Sequence, residues 1–387
     1  MLKTTVEIIL RSFNRKGLSS RYLSTAVQPR HDEKLETFRT PENDPSKHNS
    51  QHLAQFYRIP LEDKNALFHQ SALPKSFEEQ TKTFNEICLM VRKPGIDIIN
   101  YLNTLDYTKP SVRFVLYGQK GSGKTLSLAH ILHYAYRNNY LLVHVPWVGN
   151  WMHRSKEFSN SETQEGYVDI NLDAAAWLLH FKTQNVKLLK NTDLKLLETI
   201  EWNSRESTLK DAPLLELVEH GISRIKFASR VVNILADQIK RLSSEGVCKT
   251  LVAIDGYNAF FYPSTKVYTE KREMVPPSRI TVTEAFLNLT KFDWTNSAIV
   301  VTVDELAVPD ENQISYFPRY LLGKEGFNHI DPFIPVPVAN YSKKELTSVI
   351  NYYIERKWIQ PYPGQEEELS LLANSNPYSL MKLCNSL

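Results

Sequence analysis

The chain has 387 residues, of which 42% are hydrophobic, 11% aromatic and 23% charged. That composition suits two or three globular domains, or one large domain with appendages; 13 glycines and 20 prolines exclude a collagenous chain, and no apolar run approaches the roughly 18 residues of a membrane span. Residues 1–30 hold six of the 46 Lys and Arg but one of the 43 Asp and Glu, so this segment carries +5 while the remainder carries −2, which excludes a generic polyanion binder held by bulk counterion release.

Residues 1–25 read as a mitochondrial targeting presequence. They are basic and rich in Ser and Thr, Val6, Ile9, Leu10 and Phe13 fall on one helical face, and Arg21-Tyr22-Leu23-Ser24-Thr25 resembles a matrix-processing site. Residues 26–75 read as an extended N-terminal arm. Between 28 and 52 the chain is polar and broken by Thr40-Pro41-Glu42-Asn43-Asp44-Pro45, too poor in apolar residues to form a core, and such an arm is expected to wrap a partner. A helix is expected over 76–91, burying Phe77, Phe84, Ile87 and Leu89. Cys88, Cys248 and Cys384 lie more than a hundred residues apart, a spacing that excludes short zinc pairs and points to buried free thiols in a reducing compartment.

The strongest motif is Gly118-Gln119-Lys120-Gly121-Ser122-Gly123-Lys124-Thr125, a complete G-x-x-x-x-G-K-[ST] loop. A buried strand over 112–117 runs into it and a helix over 125–136 leaves it, with Leu126, Ala129, Ile131 and Leu132 facing inward. Glycines let the loop turn its amide hydrogens around phosphate oxygens, and the following helix presents its positive end to the same charge. Lys124 is expected to reach the β- and γ-phosphates, and Thr125 to ligate Mg²⁺ through its hydroxyl.

A metal at such a loop needs a second oxygen donor. Thr250-Leu251-Val252-Ala253-Ile254-Asp255 is an apolar run ending in an acid, so Asp255 falls at the carboxyl edge of a parallel sheet and is expected to be the partner of Thr125 at the metal. The next residue is Gly256, where many mechanochemical ATPases carry a water-polarising Glu, so hydrolysis is expected to be slow or absent. Asp304 and Glu305 could substitute but read as ordinary strand-end acids. Thr290-Lys291-Phe292-Asp293 matches the guanine-reading [NT]-K-x-D pattern, but it ends a helix over 282–289 rather than a strand, and reads as coincidence; ATP is not excluded.

Strands near Phe114, Leu142, Val252 and Val300 alternate with helices, which gives an α/β fold with a parallel sheet covered on both faces. The P-loop domain is expected over 76–335, with a helical insertion over 150–245 containing helices at 172–189 and 214–242, and a small helical lid over 336–387. Lid and core together suggest the AAA+ or STAND branch of P-loop NTPases. Arg92, Lys93 and Pro94 are candidates for a wall against the base, Asn376-Pro377-Tyr378-Ser379-Leu380 for the opposite side, and Arg319 for an arginine finger.

Cys88-Leu89-Met90-Val91-Arg92-Lys93-Pro94, the P-loop continuing through Leu126-Ser127-Leu128, Leu251-Val252-Ala253-Ile254-Asp255-Gly256, Leu321-Leu322-Gly323-Lys324-Glu325-Gly326-Phe327 and Asp331-Pro332-Phe333-Ile334-Pro335 together resemble the death-associated protein 3 family, GTP-binding proteins of the small subunit of the mitochondrial ribosome. The resemblance spans nearly the whole mature chain. It implies a ribosomal subunit in the mitochondrial matrix, holding GTP or GDP with Mg²⁺ at the P-loop. It further implies contacts with other small-subunit ribosomal proteins, local contacts with rRNA, proximity to bridges to the large subunit, and no membrane. Gln119 stands where relatives often carry an acid. Rival readings are a free matrix AAA+-like ATPase that remodels partners and a nucleotide-gated adaptor in apoptosis.

Overall fold

Hydrophobic runs assemble into a five-stranded, wholly parallel sheet: β1 (Val112–Tyr117), β2 (Leu141–Val145), β3 (Thr250–Ile254), β4 (Ser297–Thr302) and β5 (Ile334–Pro337), in the spatial order β5-β1-β4-β3-β2. The computed structural model describes residues 37–69, 72–190, 193–269, 271–309 and 314–385. The expected presequence, 1–25, and the first part of the arm lie outside the described residues.

Because side chains alternate along a strand, each run splits between two cores. Phe114, Leu116, Leu142, Leu251, Ala253, Ala298 and Val300 face α1 (Lys93–Thr104) and α2 (Lys124–Arg137), where they meet Ile96, Ile99, Leu128 and Ile131. Val115, Val143, Val252, Ile254, Ile299 and Val301 face the opposite layer, built by α3 (Asn171–Leu189), α4 (Leu214–Ser223), α5 (Ala228–Ser244) and α6 (Thr281–Leu289). Each Phe, Leu, Ile or Val among them, once fully buried, contributes about 1.5–3 kcal/mol. After α7 (Pro318–Ile330) and β5, the chain ends in α8 (Lys343–Glu355), α9 (Gln365–Ala373) and α10 (Pro377–Cys384), which enclose a third core with Phe56, Phe84 and Cys88.

The insertion is therefore a structural layer of the sheet sandwich. Its expected helix over 214–242 is two helices, parted at Arg224 by a turn of 3-10 helix at Ile225–Phe227. Asn185 of α3 closes the outer edge of β2: Leu142 N donates to Asn185 Oδ1 and Asn185 Nδ2 donates to Leu142 O, each at 2.8 Å. An unpaired strand edge is a template for aggregation, and this amide pairs with part of it.

Several boundaries differ from expectation. The helix expected over 76–91 ends at Phe84 because Asn85 adopts the left-handed conformation (φ 53°), and Cys88–Met90 pairs as a short antiparallel strand with Phe56–Arg58. The arm expected over 26–75 folds onto this chain from residue 37: Tyr57, Ile59 and Leu67 enter the α1/α2 core, and Arg39 pairs with Glu86 and Glu355. Apolar residues after 53 supply the burial that the polar stretch before them lacks. The lid starts after Pro337 rather than at 336, because Ile334–Pro337 completes the sheet.

Candidate phosphate site

At the carboxyl edge of the sheet, β1 leads into the Gly118–Thr125 loop and α2 starts at its end. Gly121 holds φ at +78°, and a Cβ there would lie 2.6 Å from the Cβ of Tyr378, so both the backbone and the lid demand glycine. Lys124 is buried. Its Nζ donates to the carbonyls of Gly118 at 2.8 Å and Gln119 at 3.0 Å, and it lies 2.8 Å from Asp304 Oδ2. The hydroxyl oxygen of Ser122 is buried within the loop and finds no hydrogen-bond partner among the described residues.

Asp255 follows β3, two strands from the loop. Thr125 Oγ1 donates to Asp255 Oδ2 at 2.6 Å, and the hydroxyl of Thr302, at the end of the intervening β4, donates to the other oxygen and accepts from Gly256 N at 2.9 Å. Burial pushes the Asp255 carboxyl up to about 6, the nearby Asp304 adding to the rise, while the hydroxyls of Thr125 and Thr302 and the Lys124 ammonium oppose it. Thr125 and Asp255 are hard oxygen donors within hydrogen-bond reach of each other, and this donor set fits Mg²⁺. Gly256, at φ +73°, lies under Trp147, whose ring atoms would be 3.1 Å from an added Cβ, so a Glu at the position after the acid would be strained in its backbone and would press on the indole.

The remaining loop residues divide between solvent and lid. Gln119 and Lys120 are exposed. Gln119 Oε1 accepts from Asn340, Lys120 N donates to Glu305 Oε2 at 3.2 Å, and Lys120 O accepts from Asn376. Gly121 O accepts from the amide of Tyr378, so the start of α10 sits directly on the loop. Leu126 is half-buried and packs on the α1/α2 core.

Arg92, expected beside the base, spends its guanidinium on the loop and the lid. Its guanidinium is buried and donates to Ser122 O at 2.6 Å, Ala339 O at 2.8 Å and Glu345 Oε1 at 2.8 Å, with the Tyr341 ring 5.0 Å away. It is a clamp between loop and lid. Lys93 is exposed at the first position of α1 and Pro94 is buried behind it. Arg319 is exposed over the Phe327 ring. Replacing Arg92 with Ala leaves Glu345 and two carbonyls without their donor, and is expected to cost about 3 kcal/mol in urea unfolding; Lys, which lacks the fork, is expected to restore less than half of it.

The Thr290-Lys291-Phe292-Asp293 element precedes β4, at the opposite edge of the sheet from the loop. Thr290 is buried against Tyr257 and His329, and Asp293 pairs with Lys240 at 2.7 Å. Sequence reasoning did not find Thr302, Asn258, Asn340 or Glu345 at the site. Each is an ordinary polar residue whose place depends on pairing distant in sequence.

A parallel sheet with a glycine-rich loop between β1 and α2, a lysine inside that loop and a Thr–Asp pair at its mouth defines the chain as a protein of the P-loop NTPase fold. The family described as "Mitochondrial ribosomal death-associated protein 3" matches residues 89–383, and the chain belongs to that family. Proteins named "Small ribosomal subunit protein mS29" are similar to it in sequence: that of Bos taurus is 41% identical over 350 residues, covering 89% of this chain and 87% of the relative, and that of Mus musculus is 39% identical over 353 residues, covering 90% and 89%. Among solved structures, a Walker-type ATPase of Pyrococcus abyssi is similar over 76% of this chain and 65% of its own, at 14% identity and a TM-score of 0.37.

Proposed function

We propose that the protein is a structural component of the mitochondrial small ribosomal subunit that binds a guanine nucleotide with Mg²⁺ at the P-loop, with slow or no hydrolysis. The Thr125–Asp255 hydrogen bond at the mouth of the loop carries the nucleotide part of this reading. It sets a metal-type oxygen pair beside a buried lysine, and the orphan hydroxyl of Ser122 supplies a further polar group inside the loop. Bound Mg²⁺ would neutralise phosphate charge; Thr125 and Asp255 would hold it. Gly256 offers no carboxylate to orient water, so a bound nucleotide would serve chiefly to stabilise the fold, by RT ln(1 + [L]/Kd), about 4 kcal/mol at a thousandfold excess over Kd.

Family membership supports the ribosomal part. The balanced charge of the body favours protein neighbours in the subunit over extensive rRNA contact, with rRNA met through local patches. Co-sedimentation with the small subunit after a high-salt wash, and mass spectrometry of the nucleotide released from the particle, test the two halves. A soluble oligomer turning over ATP faster than about 1 per second would overturn both.

Asp255→Asn tests the metal. It removes a charge whose burial is unfavourable, so the nucleotide-free protein is expected to gain about 1–2 kcal/mol. The extra stability that wild type draws from Mg²⁺ with nucleotide is expected to vanish, as read by thermal unfolding with and without EDTA.

A further inference from the structure

Two carboxylates from a single turn of chain meet donors of the phosphate loop. Asp304, just past β4, places Oδ2 2.8 Å from Lys124 Nζ. Its Oδ1 accepts the Leu306 amide at 2.8 Å, and Asn258 brackets its backbone, donating to Asp304 O and accepting from Asp304 N, each at 3.0 Å. The next residue, Glu305, accepts the Lys120 amide through Oε2. A P-loop meets the terminal phosphates of its nucleotide with this lysine and with amides of the loop. Here the lysine and the Lys120 amide both meet carboxylate oxygen.

The consequence depends on how firmly the acids are held. The backbone of Asp304 is fixed on both sides, and its carboxylate caps the 3-10 turn Glu305–Ala307, so it cannot swing clear without breaking a cap. A nucleoside triphosphate carries about one more negative charge than a diphosphate and sets it toward the Lys124 end of the loop. In a site sheltered from water, that charge is repelled strongly by a fixed carboxylate a few ångströms away. A diphosphate takes the loop amides nearer α2 and the amino end of that helix, and its β-phosphate can share Lys124 with Asp304 without setting a further charge against that acid.

We infer that Asp304, assisted by Glu305, makes this site selective for nucleoside diphosphates over triphosphates. The two carboxylates take donors that a terminal phosphoryl group would need. The inference rests on the proposed nucleotide site and adds the phosphate count that the site prefers. It concerns binding alone and requires no bond to be made or broken.

The test is isothermal titration of the full-length protein and its variants with GDP and with guanosine β,γ-imidotriphosphate, both with Mg²⁺, repeated with the adenine pair. Wild type is expected to bind the diphosphate at least about tenfold more tightly, a difference of about 1.4 kcal/mol. Asp304→Asn and Asp304→Ser both retain a cap acceptor without the charge, and each is expected to shrink that ratio at least tenfold. Glu305→Gln, at a half-buried position where folding is not at stake, is expected to shift the ratio in the same direction by a smaller factor. An unchanged ratio in all three variants, or a wild type that prefers the triphosphate, overturns the inference while leaving the nucleotide site standing. Failure of wild type to bind any of these nucleotides overturns the site itself, and the selectivity with it.

Discussion

Lys124→Ala is expected to lower the nucleotide retained by the purified protein at least about a hundredfold and, separately, to destabilise the nucleotide-free fold by roughly 3 kcal/mol. The first effect follows from removing the cation at the centre of the loop. The second follows from what the lysine does inside the protein: it is buried against Asp304, with Asp255 nearby, and its loss leaves two carboxylates without their shared counter-charge. The two effects part in a double variant. Lys124→Ala with Asp304→Asn removes the unpaired acid together with its partner, so more than half of the lost stability is expected to return while nucleotide retention does not. Retained nucleotide measured by mass spectrometry, beside urea unfolding of both proteins, checks the pair of outcomes. Unchanged nucleotide in the single variant would remove Lys124 from the phosphate site.

The loop itself was legible because all its chemistry lies in eight consecutive residues, from Gly118 to Thr125. Asp255 was legible because an apolar run announces the strand whose end it occupies. Asp304 ends a strand by the same rule, yet its role depends on β4 lying between β1 and β3, and strand order is written in contacts between distant segments. Thr302 is unreadable for the same reason: a strand threonine carries no sign of which carboxylate it will meet. The fifth strand was missed because Ile334-Pro335-Val336-Pro337 is short and holds two prolines, residues tolerated only at an edge, where β5 lies.

Arg92 shows a different limit. Its closeness to the loop follows from the structure of the whole N-terminal segment, but a basic residue near a phosphate site reads as a ligand contact, and here protein takes its donors: Ser122 and Ala339 through their carbonyls and Glu345 through its carboxylate. The clamp joins three stretches of sequence, one before the loop, the loop itself and the lid. Together with Asn376 on Lys120 and Tyr378 on Gly121, it makes the lid a continuation of the loop's own hydrogen bonding. From residue 37 the arm lies against this chain, where His48 meets His130 on α2 and Arg39 meets Glu86 and, on α8, Glu355.

Mild acid is expected to weaken the fold steeply, through histidines the phosphate chemistry does not use. His130 and His133 on α2, His144 on β2 and His180 on α3 are all buried. Burial holds His133 and His180 down to about 4, and holds His130 and His144 well below their ordinary value, with His48 and His133 adding to the depression of His130 and His180 to that of His144. His48 Nδ1 meets His130 Nε2 at 2.9 Å and His144 Nδ1 meets His180 Nε2 at 3.1 Å, and each bond needs one ring nitrogen without a proton. A folded-state pKa below the unfolded value near 6.5 means that the unfolded chain binds more protons, so stability is complete above about pH 7 and is lost as pH falls toward 4. Between pH 7 and 5 each such histidine contributes a loss of up to roughly 1.5–2 kcal/mol, and the four together about 4 kcal/mol or more once coupling is allowed for. Urea unfolding at pH 7, 6 and 5 reads the slope. His144→Gln combined with His180→Leu removes one of the two pairs and is expected to flatten the slope by about half, whatever it does to stability at pH 7. A slope unchanged by that substitution would place the acid sensitivity in the carboxylates.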